Sequence, residues 1–133
     1  MYEELIKSAR SASGNSYSPY SSFPVGAALL CADGSVFCGC NVENSSYSAT
    51  VCAERTALVS AVAAGKRDFS AIAIYTPRVC SGFVPCAVCL QALSEFCAGS
   101  LEIVCVDGSG GVARHTLAEL LPFAFRLGCG EDK

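Results

Sequence analysis

Cys52-Ala53-Glu54-Arg55-Thr56-Ala57 and, further along, Pro85-Cys86-Ala87-Val88-Cys89 are the stretches from which the rest of the chain can be read. Cysteines at i and i+3 point two sulfurs the same way from the first turn of a helix, and a third sulfur from another helix start closes a three-sided cup. Zinc prefers four ligands and, in catalytic sites, keeps the fourth place for water. With three protein ligands the metal lowers that water's pKa from about 16 to about 7. Glu54, two residues beyond Cys52, is placed to move the protons. Free N–H groups and the positive dipole end at both helix starts favour thiolate. Three thiolates overcompensate Zn²⁺, so a cation is also needed, and Arg55 follows the glutamate.

A closed four-cysteine site would require a second C-x-x-C, and the chain has none. Cys38-Gly39-Cys40 is a C-x-C on an expected strand, where alternation puts both side chains on one face, so it could at most add a ligand from outside the motif. Taken alone, Glu54 reads as a first-turn carboxylate favoured by the helix dipole, and Arg55 as an exposed helix arginine.

Outward from these motifs the elements follow. Tyr2 to Ala12 carries Leu5, Ile6 and Ala9 at helical spacing, and a Ser-rich stretch from Ser13 to Ser22 breaks it. Val25 to Cys31 and Val36 to Val42 flank Ala32-Asp33-Gly34-Ser35, a strong hairpin signal. Val51 to Ala64 reads as a helix with Thr50 as its N-cap and Gly65 past its end. Ala71 to Tyr75 is a short strand, and a helix opens at Pro85 and runs to Phe96. Leu101 to Val106 and Val112 to Thr116 are further strands, and Leu117 to Leu121 is a short helix stopped by Pro122. Strands joined through helices make parallel neighbours, whereas the hairpin is antiparallel. The expectation is an α/β fold with a mixed five-stranded sheet and helices on both faces.

At 133 residues the chain reads as a single domain, 1–133, able to bury roughly two thirds of its unfolded surface. A net charge of −3 and a pI of about 5.0 provide no basic footprint for a nucleic-acid polymer, so the partner should be small. No long apolar run suggests a membrane span, and Met1-Tyr2-Glu3-Glu4 lacks the basic start of a secretory signal, which points to a cytoplasmic protein. Ten cysteines could form a disulfide framework, but a chain that is 52% hydrophobic can build its own core, and no disulfide is expected. Cys31, Cys38, Cys97 and Cys105 read as small hydrophobes, while Cys40, Cys80 and Cys129 have no obvious place.

Cys52-Ala53-Glu54-Arg55-Thr56-Ala57 with Pro-Cys-x-x-Cys closely resembles cytidine deaminases of the small, homotetrameric type, with cysteine where other zinc deaminases have histidine. The likeness spans nearly the whole chain: Tyr17 to Leu30, Gly39 to Asn44 with Tyr47, and Glu119 to Pro122 match in family order. It implies an α/β/α sandwich, one zinc per chain held by Cys52, Cys86 and Cys89, and hydrolytic deamination of cytidine and deoxycytidine with Glu54 as the proton carrier. It further implies that Arg55 hydrogen-bonds the thiolates and that Asn41 and Glu43 hold the ribose hydroxyls. By the same resemblance Phe23 would pack on the nucleoside, Tyr47 would lie in the substrate loop, the backbone around Ala53 and Pro85 would meet the base, and Phe125 would reach a neighbouring subunit's pocket in a homotetramer. From the residues alone, Asn41 and Glu43 are merely polar groups at a strand end, and an aromatic before proline, such as Phe23, is commonly core.

Two features depart from the family pattern. Leu90 stands where an arginine is common, so charge compensation leans more on Arg55, and the chain after Phe125 reads Arg126-Leu127-Gly128-Cys129-Gly130. A relative acting on another aminopyrimidine, such as blasticidin S, and a noncatalytic zinc-stabilised binding module are the alternatives.

Overall fold

The computed structural model describes residues 2–128. Helix α1 (Glu3–Ser13) leads into the hairpin β1 (Gly26–Cys31) and β2 (Val36–Cys40). After a 3₁₀ turn at Tyr47–Ala49 come α2 (Ala53–Ala63), β3 (Phe69–Tyr75) and α3 (Ala87–Phe96). Strands β4 (Glu102–Val106) and β5 (Val112–Thr116) and helix α4 (Leu117–Leu120) complete the described residues.

The five strands form one sheet in the order β2-β1-β3-β4-β5. Only β3 and β4, joined through α3, run parallel, while β1 pairs antiparallel with β2 and β3, and β4 with β5. The expected mixed five-stranded sheet is therefore present. Gly34, at φ +91°, supplies the left-handed residue of the Asp-Gly hairpin, and Asp33 accepts from the Ser35 N–H at 3.0 Å.

Alternation along the strands divides the core into two layers. Ala27, Leu29, Ile72, Ile74, Ile103 and Cys105 face α2, α3 and α4, whereas Ala28, Ala71, Ala73, Val104 and Val106 face α1. Helices thus cover both faces, giving the three-layer α/β/α sandwich. Two glycines set the closeness of the layers: a Cβ on Gly26 would lie 2.0 Å from the Ala9 carbonyl oxygen of α1. One on Gly39 would lie 2.4 Å from the Ala57 nitrogen of α2. Backbone meets backbone at both places, so α2 is seated directly on β2.

Several boundaries shift by a residue or two, β3 for instance starting at Phe69, and three of the differences bear on the site. Thr50 does not cap α2, because Cys52 is the N-cap and the Thr50 hydroxyl accepts from the Asn44 N–H at 3.1 Å. Pro85 precedes α3, whose N-cap is Cys86. The ladder of β2 ends at Cys40, and Val42 instead makes isolated bridges to Tyr17 and Val51. In α4 the Thr116 hydroxyl and Glu119 carboxylate form a reciprocal capping box, which fixes the turn before Pro122.

Candidate active site

Both metal-motif helices begin at a cysteine. The carbonyls of Cys52 and Cys86 accept the first helical bonds of α2 and α3, from Thr56 and Leu90, and neither sulfur caps its own helix. The thiols are thus free to converge. Cys52 Sγ lies 3.9 Å from Cys86 Sγ, Cys86 Sγ lies 3.5 Å from Cys89 Sγ, and all three sulfurs fall within 4.8 Å of one another. A tetrahedron with zinc–sulfur bonds of ~2.3 Å has sulfur–sulfur edges of ~3.8 Å, so the cup has the size zinc requires. Among the described residues no other cluster of three such ligands occurs, and Cys38 and Cys40 point instead to backbone carbonyls of Ser8 and Asn15. Cys129 lies outside the described residues, and every cysteine among them is a free thiol.

The electrostatics suit a cation. A hydrogen bond from Cys89, with further help from Arg55 and Cys86, brings the Cys52 thiol down to about 5. Cys89 itself is pushed well above the ordinary thiol range, chiefly because it keeps its proton and donates it in a hydrogen bond to the Cys52 thiolate. Two sulfurs sharing a proton in this way release it when a metal binds. Arg55 Nη2 reaches Cys52 Sγ at 3.8 Å and the Thr50 carbonyl at 3.3 Å, and its buried Nε–H has no partner. That spare buried donor matches the excess negative charge that three thiolates bring to a divalent ion. Leu90 is 4% exposed and packs in the layer under α3, so Arg55 is the cation at the sulfurs.

Glu54, in the first turn of α2, is 5% exposed. Burial raises its carboxyl to about 7, and the Cys52 charge adds to the shift. A carboxyl poised near neutrality can both take and give protons.

Glu54 and Cys52 open into a cavity of ≈ 350 Å³ that is also lined by Phe23, Asn41, Glu43, Ala53 and Cys86. The structure therefore brings most of the expected site residues together. Asn41 is largely engaged by its own chain: Oδ1 accepts from Ser16 and Val25, and Nδ2 donates to the Phe23 carbonyl at 2.9 Å. One amide N–H remains for a ligand. Glu43 accepts from the backbone N–H groups of Tyr20 and Ser21 and from the Ser21 hydroxyl, which lowers its pKa, the hydroxyl most strongly.

Tyr47 and Phe125 are not in this cavity. Tyr47 stands with Tyr20 around an adjoining one of ≈ 370 Å³, across a wall shared through Ser21, Glu43 and Thr50. Phe125 projects from the chain 69% exposed. Conversely, Ser21, Thr50, Ile74 and Phe83 line the site without having been singled out in the sequence. Their residue types carry no chemical signal, and only the fold brings them to the mouth of the cup.

Comparison with known proteins agrees with this geometry. The family model described as the cytidine and deoxycytidylate deaminase zinc-binding region matches residues 1–105. A cytidine deaminase of Sporosarcina psychrophila is 48% identical over 92% of this chain and 90% of its own, and one of Halalkalibacterium halodurans is 46% identical over 91% of each. The crystal structure of cytidine deaminase from Burkholderia pseudomallei superposes with a TM-score of 0.90 at 46% identity, covering 94% of this chain and 99% of that one. With that family model over most of its length and such relatives over nine-tenths of it, the chain belongs to the zinc-binding cytidine and deoxycytidylate deaminase family.

Proposed function

We propose that this chain is a zinc-dependent hydrolase that converts cytidine and 2′-deoxycytidine to uridine and 2′-deoxyuridine with release of ammonia, serving pyrimidine salvage. The observation that carries the reading is the buried Glu54 carboxyl beside three converging sulfurs, with Glu54, Cys52 and Cys86 lining one cavity. Cys52, Cys86 and Cys89 would hold the zinc, which when bound would supply a water acidified toward neutral pH. Glu54 takes one proton from the water whose oxygen bonds to C4 and gives it to ring N3, then carries the proton of the new C4 hydroxyl to the amino group, which leaves as ammonia as the C4–N bond breaks and C4=O forms. Arg55 holds the thiolate charge, and the backbone at Ala53 and Pro85 meets the base edge. Phe23 packs on the nucleoside, while Asn41 and Glu43 bind the ribose hydroxyls.

The lining favours a nucleoside over a nucleotide. It contains two carboxylates, Glu43 and Glu54, and no lysine or arginine, so a 5′-phosphate would be repelled. A cavity of ≈ 350 Å³ also suits a molecule of nucleoside size.

The working form is a homotetramer of single-domain chains, 1–133, with Tyr47 in the substrate loop and Phe125 completing a neighbouring subunit's pocket. Support comes from Tyr47, Phe123, Phe125 and Leu127, large apolar side chains that the described residues leave open to solvent. The free thiols among the described residues suit the cytoplasm, and no helix among them is long and apolar enough to cross a membrane.

The test is direct: incubate the zinc-loaded protein with cytidine and follow the ultraviolet change to uridine and the release of ammonia. Turnover of cytidine and deoxycytidine with one zinc per chain is expected. Zinc-loaded protein that releases no ammonia from either nucleoside would refute the assignment.

A further inference from the structure

Gln91 grips the backbone of Phe125 with both ends of its carboxamide. Its Nε2 donates to the Phe125 carbonyl at 3.0 Å, and the Phe125 N–H donates to its Oε1 at 3.3 Å. A primary amide used this way does the work of a neighbouring strand, fixing both the position and the direction of one residue. Phe125 needs such a hold, since it lies beyond α4 and Pro122, outside every described helix and strand. A buried ring would anchor its own segment, but this one is 69% exposed, and among the described residues it pairs with no other aromatic ring. The clamp orders the backbone and leaves the ring outward. Gln91 stands on α3, two residues past Cys89, so the helix that carries two of the sulfurs also sets the register of Phe125.

We infer that Gln91 is a positioning residue for the reaction: its carboxamide holds the Phe125 backbone so that the ring is presented, already ordered, as a wall of a neighbouring subunit's substrate pocket. This rests on the role given to Phe125 in the proposed homotetramer. A segment released from the clamp would have to be ordered at every binding event, which weakens substrate binding and leaves the proton transfers at Glu54 alone. The two ends of the amide are separable. A glutamate at this position keeps the acceptor for the Phe125 N–H but, while ionised, cannot donate to the carbonyl.

The experiment measures kcat and KM for cytidine, zinc content and light-scattering mass for the assembled, zinc-loaded wild type, Gln91→Ala, Gln91→Glu, Phe125→Ala and the Gln91→Ala/Phe125→Ala double variant. Gln91→Ala is expected to raise KM about three- to tenfold, the worth of about one net hydrogen bond, with kcat, zinc and mass retained. The double variant should be no worse than Phe125→Ala alone. Gln91→Glu should match Gln91→Ala at neutral pH. If Phe125→Ala raises KM while both Gln91 variants keep it at the wild-type value, the clamp is refuted and the role of Phe125 stands. If Phe125→Ala leaves KM unchanged, the role of Phe125 falls and the clamp's function with it. Additive effects in the double variant, or loss of zinc in Gln91→Ala with a wild-type KM for Gln91→Glu at neutral pH, would also overturn the inference.

Discussion

Glu54 and Glu43 line the same cavity, yet their surroundings are opposite. Glu54 sits 5% exposed in the first turn of α2, where burial raises its carboxyl to about 7. Glu43 lies in the open part, where the Ser21 hydroxyl and two backbone N–H groups lower its pKa. The buried end forms where two helix starts meet the sheet and their cysteines converge. The open end is held by loop hydrogen bonds and leaves large side chains unpacked, with Tyr47 at 75% exposure. On the proposed function, proton chemistry belongs to the buried end, and substrate recognition to a rim that another surface can complete.

The sharpest way to break this contrast is at the sulfurs. Cys89→Ala removes a buried ligand from the cup, and activity should drop to background with zinc lost, as metal analysis of the purified variant will read. Retained zinc with ordinary turnover would mean that the cup is not the metal site. Next in size, Glu54→Gln should keep zinc and fold but lose about 10²- to 10⁴-fold in turnover, because the amide keeps the shape and cannot carry protons. Near wild-type turnover in a zinc-loaded variant would remove Glu54 from the mechanism.

The buried end also depends on how closely α2 sits on β2. Gly39→Ala sets a methyl 2.4 Å from the Ala57 nitrogen, a backbone atom that cannot turn aside. A loss of about 3 kcal/mol of stability is expected, read by denaturant titration. A change below about 0.5 kcal/mol would show that the helix is free to shift.

A pH series probes the burial of Glu54 in metal-free protein. Its folded-state pKa of about 7 lies above the unbound value of 4.5, so the stability tied to its proton is fully present below pH 4.5 and lost as pH rises through 7. Metal-free Glu54→Gln should match the wild type below pH 4.5, gain on it between 4.5 and 7, and hold the gain above. A gain independent of pH would mean that the carboxyl is not the titrating group.

The rim should respond more gently. Phe125→Ala is expected to raise KM for cytidine about 10- to 30-fold with kcat kept, since it removes an apolar wall and no proton carrier. Light scattering that finds a fully active monomer near 13.7 kDa would sink both the assembly and the role of Phe125.

Much of this was legible in the chain. The Asp33-Gly34 turn announced the hairpin, the C-x-x-C spacing announced two sulfurs on one helix start, and Cys52-x-Glu54-Arg55 put carrier and cation beside a third. The misplaced helix starts have one cause: Thr50 and Pro85 are good capping and first-turn residues, and local propensity favoured them. Tertiary demand overrode it, since the cysteines had to stand at the N-caps with their sulfurs turned away from their own helices. The Thr116-x-x-Glu119 capping box is a local pattern and could have been read directly.

Sequence by itself determined the three-cysteine motif and the order of strands and helices, because these depend on residue type at short spacing and on hydrophobic alternation, whereas the role expected of Glu54 came from the family resemblance. Tertiary structure alone decided that Glu54 would be dry and Glu43 wet, that Asn41 would spend most of its amide on Ser16, Phe23 and Val25, and that Gln91 would hold Phe125. Burial and hydrogen-bond partnership are properties of residues distant in the chain, and no local pattern of residue types encodes which of them the fold brings into contact.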